Sequence, residues 1–316
     1  MLDTKKKITG SYYTPNTLTQ FIITHLSSYL EFHDIDVLEP SVGEGAFLKQ
    51  ILQVGKSIKL TAIDINEIAL NKAKDLWPYK KCDFIHTNFI QYDLQIKFDL
   101  IIGNPPYIDK TRMETIDYDL CRLLHIDQNM PESGARNIWT SFVIKSNLLL
   151  KEDGIMSFIL PAEMLQVKYA TPIINYLKKE FVRIEIFTID DILFECKGQR
   201  VVLLFAFKRF KEKGFYFNDI KSINNILASK KNLKKNDAIT LNNSKWSNHH
   251  IKSKDIEFLY DLKNSLYPIY EFCKTKPGIV TAANDFFIID NKIEKEYEIS
   301  EYTIPIIKKS SFVNGG

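Results

Sequence analysis

The sequence has little cysteine and no long apolar run, and each shortage excludes a class of protein. Its four cysteines lie far apart and form no CxxC pair, which argues against a disulfide framework or a zinc ribbon and favours a reduced cytoplasm. No apolar run approaches the ~18 residues needed to cross a bilayer, and residues 1–10 are charged rather than signal-like. These absences predict a cytoplasmic protein with no membrane partner, and no cluster of His, Cys and Asp suggests a metal.

The composition that remains is that of an ordinary globular protein. A prior of roughly 100–200 residues per domain divides the 316 residues into two domains. Apolar residues at 45% and charged residues at 26% exclude a disordered or collagen-like chain. The net charge is only +3, but residues 221–254 hold eight lysines and one acid. This segment is either a solvated linker or a surface that contacts a polyanion.

Apolar periodicity predicts alternating strands and helices up to residue 208. Such alternation is typical of an α/β protein with a parallel sheet covered on both sides, and the last two strands can form an antiparallel pair at the C-terminal edge. After residue 208 the alternation stops, and only one further helix, at residues 255–266, is clear. We predict strands at residues 36–39, 59–64, 84–87, 98–103, 154–160, 182–187 and 201–207, and helices at residues 45–54, 67–76, 139–150 and 172–180.

A glycine loop joins the first predicted strand to the first predicted helix. Gly43 and Gly45 allow a backbone to approach a ligand closely, although many such pairs are merely tight turns. Asp64 ends the second strand 19 residues after Gly45, where doubly wound folds place an acid that grips ribose hydroxyls. The alternative role of Asp64 is to cap the next helix. Because the third glycine of the dinucleotide fingerprint is missing and Glu39 would repel phosphate, the loop favours S-adenosylmethionine.

The stretch Asn104-Pro105-Pro106-Tyr107 follows a predicted strand that is apolar on both faces, at the edge where open α/β sheets bind ligands. The two prolines fix the backbone, which holds the Asn104 side chain and the Pro105 carbonyl in one geometry. Two such acceptors can take both hydrogens of an exocyclic amine and turn its lone pair toward a methyl donor. Tyr107 offers an aromatic face on which a base can stack. The alternative is a proline turn with Tyr107 packed at its rim.

The order of these motifs resembles that of the gamma-class N6-adenine-specific DNA methyltransferases. GSYYTP resembles the N-terminal cofactor motif of that family, LEPSVGEGAF its glycine loop, AIDIN its ribose-binding strand and NPPY its catalytic loop. NIWTSFVIKSNLLLKEDGIMSFILPAEML resembles the helix and strand that follow, and GIVTAANDFFI resembles the opening of a target recognition domain.

The resemblance implies a fold and a division of the chain. The fold is a Rossmann-like, doubly wound and mostly parallel sheet, the S-adenosylmethionine-dependent methyltransferase fold, followed by the start of a second, C-terminal recognition domain. The division is a catalytic domain over residues 1–210, a basic linker over residues 211–254 and a recognition domain over residues 255–316. Since the chain stops just after a strand-like segment, we expect the recognition domain to be incomplete.

The resemblance also assigns residues around the cofactor. In this family an acid usually follows the third strand and bonds the adenine amine of the cofactor, but this chain has Asn88 there, followed by Phe89. An amide can still accept through its oxygen, so we expect binding to persist, in weaker form. The other contacts are Thr14 and Pro15 at the methionine end, Glu39, Ser41 and Gly43 around the amino-acid part with Gly45 in the same loop, and Asp64 and Ile65 at the ribose and adenine.

The substrate implied by the resemblance is adenine in double-stranded DNA. Its amine is paired in the duplex, so the nucleotide must rotate out at a cost of a few kcal/mol. Stacking between Tyr107 and Phe194, worth roughly 1–3 kcal/mol per base, would offset much of this cost. The alternative role of Phe194 is core packing, and Lys197 and Arg200 are expected phosphate contacts.

Three other functions remain open at the level of sequence. A protein glutamine N5-methyltransferase also uses an NPPY loop. In a modification subunit, a separate specificity partner would recognise the DNA sequence. A restriction endonuclease can accompany the protein whether or not it has such a partner. A pseudoenzyme that only binds DNA would keep the fold, but the intact catalytic loop at residues 104–107 argues against it.

Overall fold

A computed structural model describes the chain in ten segments. They are residues 14–30, 34–52, 57–77, 82–189, 200–221, 226, 233–236, 246, 253–273 and 288–305. The chain divides into two compact units, Met1–Glu257 and Phe258–Gly316.

The first unit alternates helices and strands, and the second contains short helical segments. The helices are α1 (Asn16–Leu26), α2 (Leu48–Ile51), α3 (Glu67–Leu76), α4 (Thr115–Asp127), α5 (Ile138–Leu149), α6 (Thr171–Glu180), α7 (Ser253–Ser265) and α8 (Asn291–Glu296). The strands are β1 (Asp34–Glu39), β2 (Ser57–Asp64), β3 (Cys82–His86), β4 (Phe98–Gly103), β5 (Leu150–Pro161), β6 (Arg183–Ile189), β7 (Val201–Phe207), β8 (Gly214–Ile220) and β9 (Lys234–Lys235).

The strands in the described part of the chain form one sheet in the order β3-β2-β1-β4-β5-β7-β6-β8-β9. The strands β1 to β5 pair in parallel, as the predicted crossovers require. The order reverses between β1 and β4, and ligands bind at such a switch point in open α/β sheets. The predicted mostly parallel α/β sheet is therefore confirmed.

The predicted antiparallel pair is β6 and β7, but it does not lie at the edge of the sheet. The strand β7 is inserted between β5 and β6 and runs antiparallel to both. All seven of its residues are buried, because it has a neighbour on each side and layers above and below. The strand β8 then continues the sheet beyond β6 in the parallel direction.

The structure corrects the sequence analysis at residues 214–220, which fall within the predicted basic linker. They form β8, in which Phe215, Phe217 and Ile220 are buried, the first two on the alternating pattern of a strand. Trp246, also within the predicted linker, is fully buried with its ring centre 5.9 Å from that of Phe215. The dense lysines obscured this apolar alternation, and the sheet of the first unit extends past residue 210.

A buried ion-pair cluster fastens α1 to the sheet. His25 Nε2 and Glu185 Oε2 lie 2.5 Å apart, and both side chains are fully buried. Arg183 Nε donates to Glu185 Oε1 at 2.6 Å, and its guanidinium lies 3.7 Å from the ring centre of Tyr216. Because Glu185 and Arg183 belong to β6, the cluster fixes the helix that directly follows Thr14 and Pro15.

In the second unit, α8 begins after Asp290, whose side chain accepts from the N–H groups of Lys292 and Ile293. The predicted helix at residues 255–266 is present as α7.

Among the described residues, no helix has both the length and the apolar character that a membrane span requires. The same residues include no group of three or more His, Cys, Asp or Glu placed to hold a metal ion.

Candidate active site

Two loops at the carboxyl edge of the sheet meet where the strand order reverses. One follows β1 and contains Ser41, and the other follows β4 and begins with Asn104. The Oγ atom of Ser41 donates to the main-chain oxygen of Asn104 at 3.1 Å. The Nδ2 atom of Asn104 donates to the Oγ1 atom of Thr14 at 3.3 Å. The structure therefore brings together three of the segments that were predicted to form one site.

Two positions of the loop after β1 require glycine. The φ angle is +54° at Gly43 and +82° at Gly45, in the region that residues with a Cβ rarely adopt. A Cβ at Gly43 would meet nothing within 4 Å, so the backbone there borders open space. A Cβ at Gly45 would lie 2.9 Å from Leu48 Cδ1 and 3.2 Å from Ala73 Cα. Gly43 thus leaves a surface open, whereas Gly45 permits close packing of the loop against α3.

Asp64, at the end of β2, is hydrogen-bonded to this loop. Its Oδ2 atom accepts from the N–H of Gly43 at 2.7 Å, and its Oδ1 atom accepts from the N–H of Asn66 at 2.8 Å. The alternative role of Asp64 as a helix cap is wrong, because Asn66 caps α3 by accepting from Ile68 and Ala69. A carboxylate has about four acceptor positions, so both oxygens of Asp64 keep capacity for further donors.

Glu39, at the end of β1, is a buried carboxyl group. It is 1% exposed, and its Oε2 atom has no hydrogen-bond partner among the described residues. Burial, and then the charge of Asp64, raise the pKa of Glu39 well above its ordinary value. Burial also raises the pKa of Asp64. A cationic group placed beside these two acids would stabilise their charged forms.

Ile65 lies beside Asp64 with its apolar side chain 62% exposed. Its main-chain oxygen accepts from Nε2 of His86 at 3.0 Å, which ties the end of β2 to the end of β3. The N–H of Thr87 also donates to the main-chain oxygen of Asp64, at 3.0 Å. The loop that follows β3 therefore starts next to the ribose-binding acid that the sequence predicts.

Asn88 lies in this loop and is held by α4. Its Nδ2 atom donates to Asp117 Oδ1 at 2.8 Å, and its Oδ1 atom accepts from the N–H of Ile90 at 2.9 Å. Gln91 Nε2 donates to the same oxygen of Asp117, also at 2.8 Å. The loop is thus attached to one buried carboxylate through two side-chain amides.

Lys145 of α5 holds the same loop by its main chain. Its Nζ atom donates to the main-chain oxygens of Ile90 at 2.9 Å and Tyr92 at 2.6 Å, and burial lowers the pKa of Lys145 to about 8. Phe89 is 2% exposed, with its ring centre 4.9 Å from that of Phe142 and 5.1 Å from Lys145 Nζ. The ring of Phe89 is therefore part of the core and is closed to a ligand in this structure.

In the loop after β4, Pro105 is buried and Asn104 and Pro106 are half-buried. The hydroxyl of Tyr107 lies 2.9 Å from Asn104 Oδ1 and 3.0 Å from the main-chain oxygen of Ile159. Tyr107 is only 5% exposed, so its ring offers little surface to a base in this structure. Stacking on Tyr107 stays a prediction, and it requires the ring to become accessible.

Of the three further residues predicted to contact DNA, the structure describes one. Arg200 is exposed and directly precedes β7. Its main-chain oxygen accepts from the N–H of Ala162 at 2.9 Å, which places it at the carboxyl end of β5. Phe194 and Lys197 lie outside the described residues.

Asp117 and Lys145 were not predicted from the sequence. Asp117 belongs to no motif, and Lys145 was given no role within the stretch that begins NIWTSFVIK; both lie on helices that come after Asn88 in the chain. The one signal in the sequence was Asn88 itself. The resemblance implies an acid at this position, and an acid from another element can contact an amide that stands there.

The chain is similar to several methyltransferases of known sequence or structure. The Type II methyltransferase M.AccI of Acinetobacter calcoaceticus is 28% identical over 290 residues, covering 86% of this chain and 52% of that protein. A class I S-adenosylmethionine-dependent methyltransferase fold from Listeria monocytogenes superposes with a TM-score of 0.57 at 17% identity, covering 69% of this chain and 71% of that one. The release factor glutamine methyltransferase of Fusobacterium nucleatum is 32% identical over 115 residues, only 35% of this chain and 32% of that protein.

The family match covers most of the first unit. The chain spans about half the length of curated relatives such as M.AccI and M.HincII of Haemophilus influenzae. Residues 243–316 match the C-terminal domain of the Type II methyltransferase M.Eco57I. Residues 17–194, more than half of the chain, match the Eco57I restriction-modification methylase. The chain therefore belongs to the Eco57I restriction-modification methylase family.

Proposed function

We propose that this protein is a sequence-specific DNA methyltransferase that transfers a methyl group from S-adenosylmethionine to N6 of an adenine flipped out of double-stranded DNA. The observation that carries the proposal is the 3.1 Å hydrogen bond from Ser41 to the main chain of Asn104. It joins the loop suited to the cofactor to the loop suited to an exocyclic amine. Methyl transfer requires the two reactants in line and in contact, and such positioning provides much of the rate.

The residues around Glu39 fit S-adenosylmethionine. Its cationic amino group would pair with the buried oxygen of Glu39 that has no described partner. The open backbone at Gly43 leaves room for the amino-acid part, and Asp64 keeps acceptor capacity for ribose hydroxyls. The exposed side chain of Ile65 supplies an apolar surface for the adenine ring. When bound, S-adenosylmethionine supplies an electrophilic methyl group on a sulfonium centre.

Asn104 and Pro105 would activate the target amine. Their oxygens accept the two amine hydrogens, which favours a pyramidal nitrogen whose lone pair is free to attack. Asn104 Oδ1 already accepts from the Tyr107 hydroxyl, which holds the amide with its oxygen oriented. When the amine arrives, the hydroxyl can turn to the main-chain oxygen of Ile159, 3.0 Å away, without losing a partner.

Recognition of DNA is assigned to several parts of the chain. Tyr107 and Phe194 would stack on the flipped base, and Lys197 and Arg200 would contact phosphates. We assign catalysis to residues 1–210, linkage with a basic surface to residues 211–254, although β8 already lies there, and target recognition to residues 255–316. A restriction endonuclease or a specificity subunit is the expected protein partner, in the cytoplasm.

Glutamine N5 methylation of a protein is the second candidate, because a glutamine methyltransferase matches the chain locally. An amide nitrogen could use the same two acceptors at Asn104 and Pro105. The longer match to the restriction-modification family, over residues 17–194, supports DNA as the substrate.

The proposal is tested by following a labelled methyl group. The full chain is incubated with labelled S-adenosylmethionine, mixed-sequence double-stranded DNA and a mixture of cell proteins. We expect label in the DNA, loss of labelling in Asn104→Ala, and unchanged affinity of that variant for S-adenosylhomocysteine. Label confined to protein would contradict the proposal and support the glutamine reaction.

A further inference from the structure

The side-chain amide of Asn88 is held in one orientation. Its oxygen accepts from the N–H of Ile90 at 2.9 Å, and its nitrogen donates to Asp117 at 2.8 Å. A main-chain N–H can only donate, and an ionised carboxylate can only accept. If the amide were turned over, its nitrogen would face the Ile90 N–H, so that two donors would meet. Its oxygen would face Asp117, so that two acceptors would meet. Asp117 and the Ile90 N–H together fix which end of Asn88 is the oxygen.

The fixed oxygen stands next to the proposed adenosine site. An amide oxygen has two lone pairs, and the Ile90 hydrogen bond uses one of them. Asn88 is half-buried, and its neighbour Thr87 is bonded to the main chain of Asp64, the proposed ribose ligand. An exocyclic amine carried by a purine at this edge of the sheet would meet an acceptor rather than a donor.

We propose that Asp117 is a specificity-determining positioning residue. It holds Asn88 Oδ1 as the acceptor for the exocyclic amine of the cofactor's adenine, and so selects adenine over a purine with oxygen at that position. This inference rests on the proposed use of S-adenosylmethionine. Where the resemblance implies an acid at position 88, this chain has an amide bonded to the acid Asp117 of α4, which acts through that amide.

Asp117 is buried and hydrogen-bonded to two residues of the loop, as a residue that orients a side chain must be. It is 8% exposed, and it receives a second donor, Gln91, from the same loop. Lys145 holds the main chain of the loop from α5 at Ile90 and Tyr92. Side chain and main chain are therefore held by separate helices, and removing Asp117 would leave the Asn88 amide with only the Ile90 N–H while the loop stays attached through Lys145.

The first test compares two ligands in calorimetric titrations of the full chain. S-adenosylhomocysteine carries the exocyclic amine, and S-inosylhomocysteine carries an oxygen in its place. We expect the wild type to bind the adenosine compound at least about tenfold more tightly, the value of one good hydrogen bond. In Asp117→Ala only the Ile90 N–H still holds the amide, which can then turn more easily to donate to the oxygen of the ligand, so the preference should fall to within about threefold. A purely structural role would weaken both ligands equally, and an unchanged ratio would overturn the inference.

The second test exchanges the side chains of Asn88 and Asp117. It tests the positioning role of Asp117 even if Asp117→Ala does not fold. Asn88→Asp alone places two carboxylates in contact and should weaken S-adenosylhomocysteine binding about tenfold or more. The double variant Asn88→Asp with Asp117→Asn restores the hydrogen bond with its polarity exchanged, and should bind within about threefold of the wild type. A double variant no tighter than Asn88→Asp would contradict the inference.

Asp119→Asn is the matched control, since Asp119 lies on the same helix in an exposed ion pair with Arg122. Its ligand preference should equal that of the wild type. If the wild type binds neither compound, the proposed use of S-adenosylmethionine is wrong. If the wild type binds and discriminates but Asp117→Ala keeps the full preference, only the inference fails.

Discussion

The hydroxyl of Tyr107 lies 2.9 Å from Oδ1 of Asn104, the oxygen to which we assign the target amine. The main-chain oxygen of Ile159 lies 3.0 Å from the same hydroxyl. One hydroxyl hydrogen thus has two acceptors within reach. The hydrogen bond from Tyr107 orients Asn104 before a substrate binds. When this bond breaks, the Tyr107 hydroxyl can donate to Ile159 and keeps a partner.

Tyr107→Phe tests this orientation. The variant keeps the ring but removes the donor to Asn104, and a neutral hydrogen bond contributes about 0.5–1.5 kcal/mol. We expect the single-turnover methylation rate to fall about 2- to 10-fold, with unchanged affinity for S-adenosylhomocysteine. Tyr107→Ala, which also removes the ring, should lose considerably more activity. A Phe variant as fast as the wild type would show that the hydroxyl does not orient the asparagine.

Gly43→Ala should impair mainly ligand binding, and Gly45→Ala should impair mainly stability. Both strain a backbone with positive φ, but only the Cβ at Gly45 would press on other atoms of the protein. Gly45→Ala should therefore lower the midpoint of urea unfolding more than Gly43→Ala does. Gly43→Ala should weaken S-adenosylhomocysteine binding, because its Cβ enters the open space assigned to the cofactor. Equal ligand affinity in Gly43→Ala and the wild type would contradict that assignment.

Glu185→Ala should destabilise the first unit strongly. It leaves Arg183 in the core without its carboxylate, and breaking a buried ion pair costs about 3–5 kcal/mol. Glu212→Ala is the control, since Glu212 pairs with the same arginine but is 71% exposed. We expect a change in the free energy of unfolding of about 1 kcal/mol or less there. Similar urea midpoints for the two variants would show that burial does not govern this cluster.

Cofactor binding should release a proton from Glu39. Because burial raises the pKa of this carboxyl group, it carries a proton in the free protein over a wider pH range than usual. A bound ammonium group favours the carboxylate and lowers the pKa, so affinity should increase as pH rises between the bound and the free pKa. Calorimetry in buffers of different ionisation enthalpy measures the protons released. Glu39→Gln should abolish the release, and Glu44→Gln, at an exposed ion pair with Lys72, should not.

The sequence predicted the sheet well where strands are apolar and bounded by turns. The bounds of β4, α3 and β7 match the predicted ranges residue for residue. The loops at Ser41 and Asn104 each follow a predicted strand, whereas their contact is a finding of the structure.

What the sequence could not predict depends on contacts between distant residues. The strand β8 was hidden because its alternation is short and lies among lysines. The burial of Tyr107 and the hydrogen bond from Asn88 to Asp117 arise only when loops and helices pack. Asp64 was assigned two roles, and the neighbouring Asn66 took the capping role because its side chain reaches the free N–H groups of α3.

The most direct test of the account is the identity of the methylated nucleoside. Double-stranded DNA treated with the full chain and S-adenosylmethionine is digested to nucleosides and analysed by mass spectrometry. The account predicts N6-methyladenine with the wild type and none with Asn104→Ala, although the variant still binds S-adenosylhomocysteine. Methylation at a ring carbon of cytosine, or equal yields of N6-methyladenine from both proteins, would contradict it.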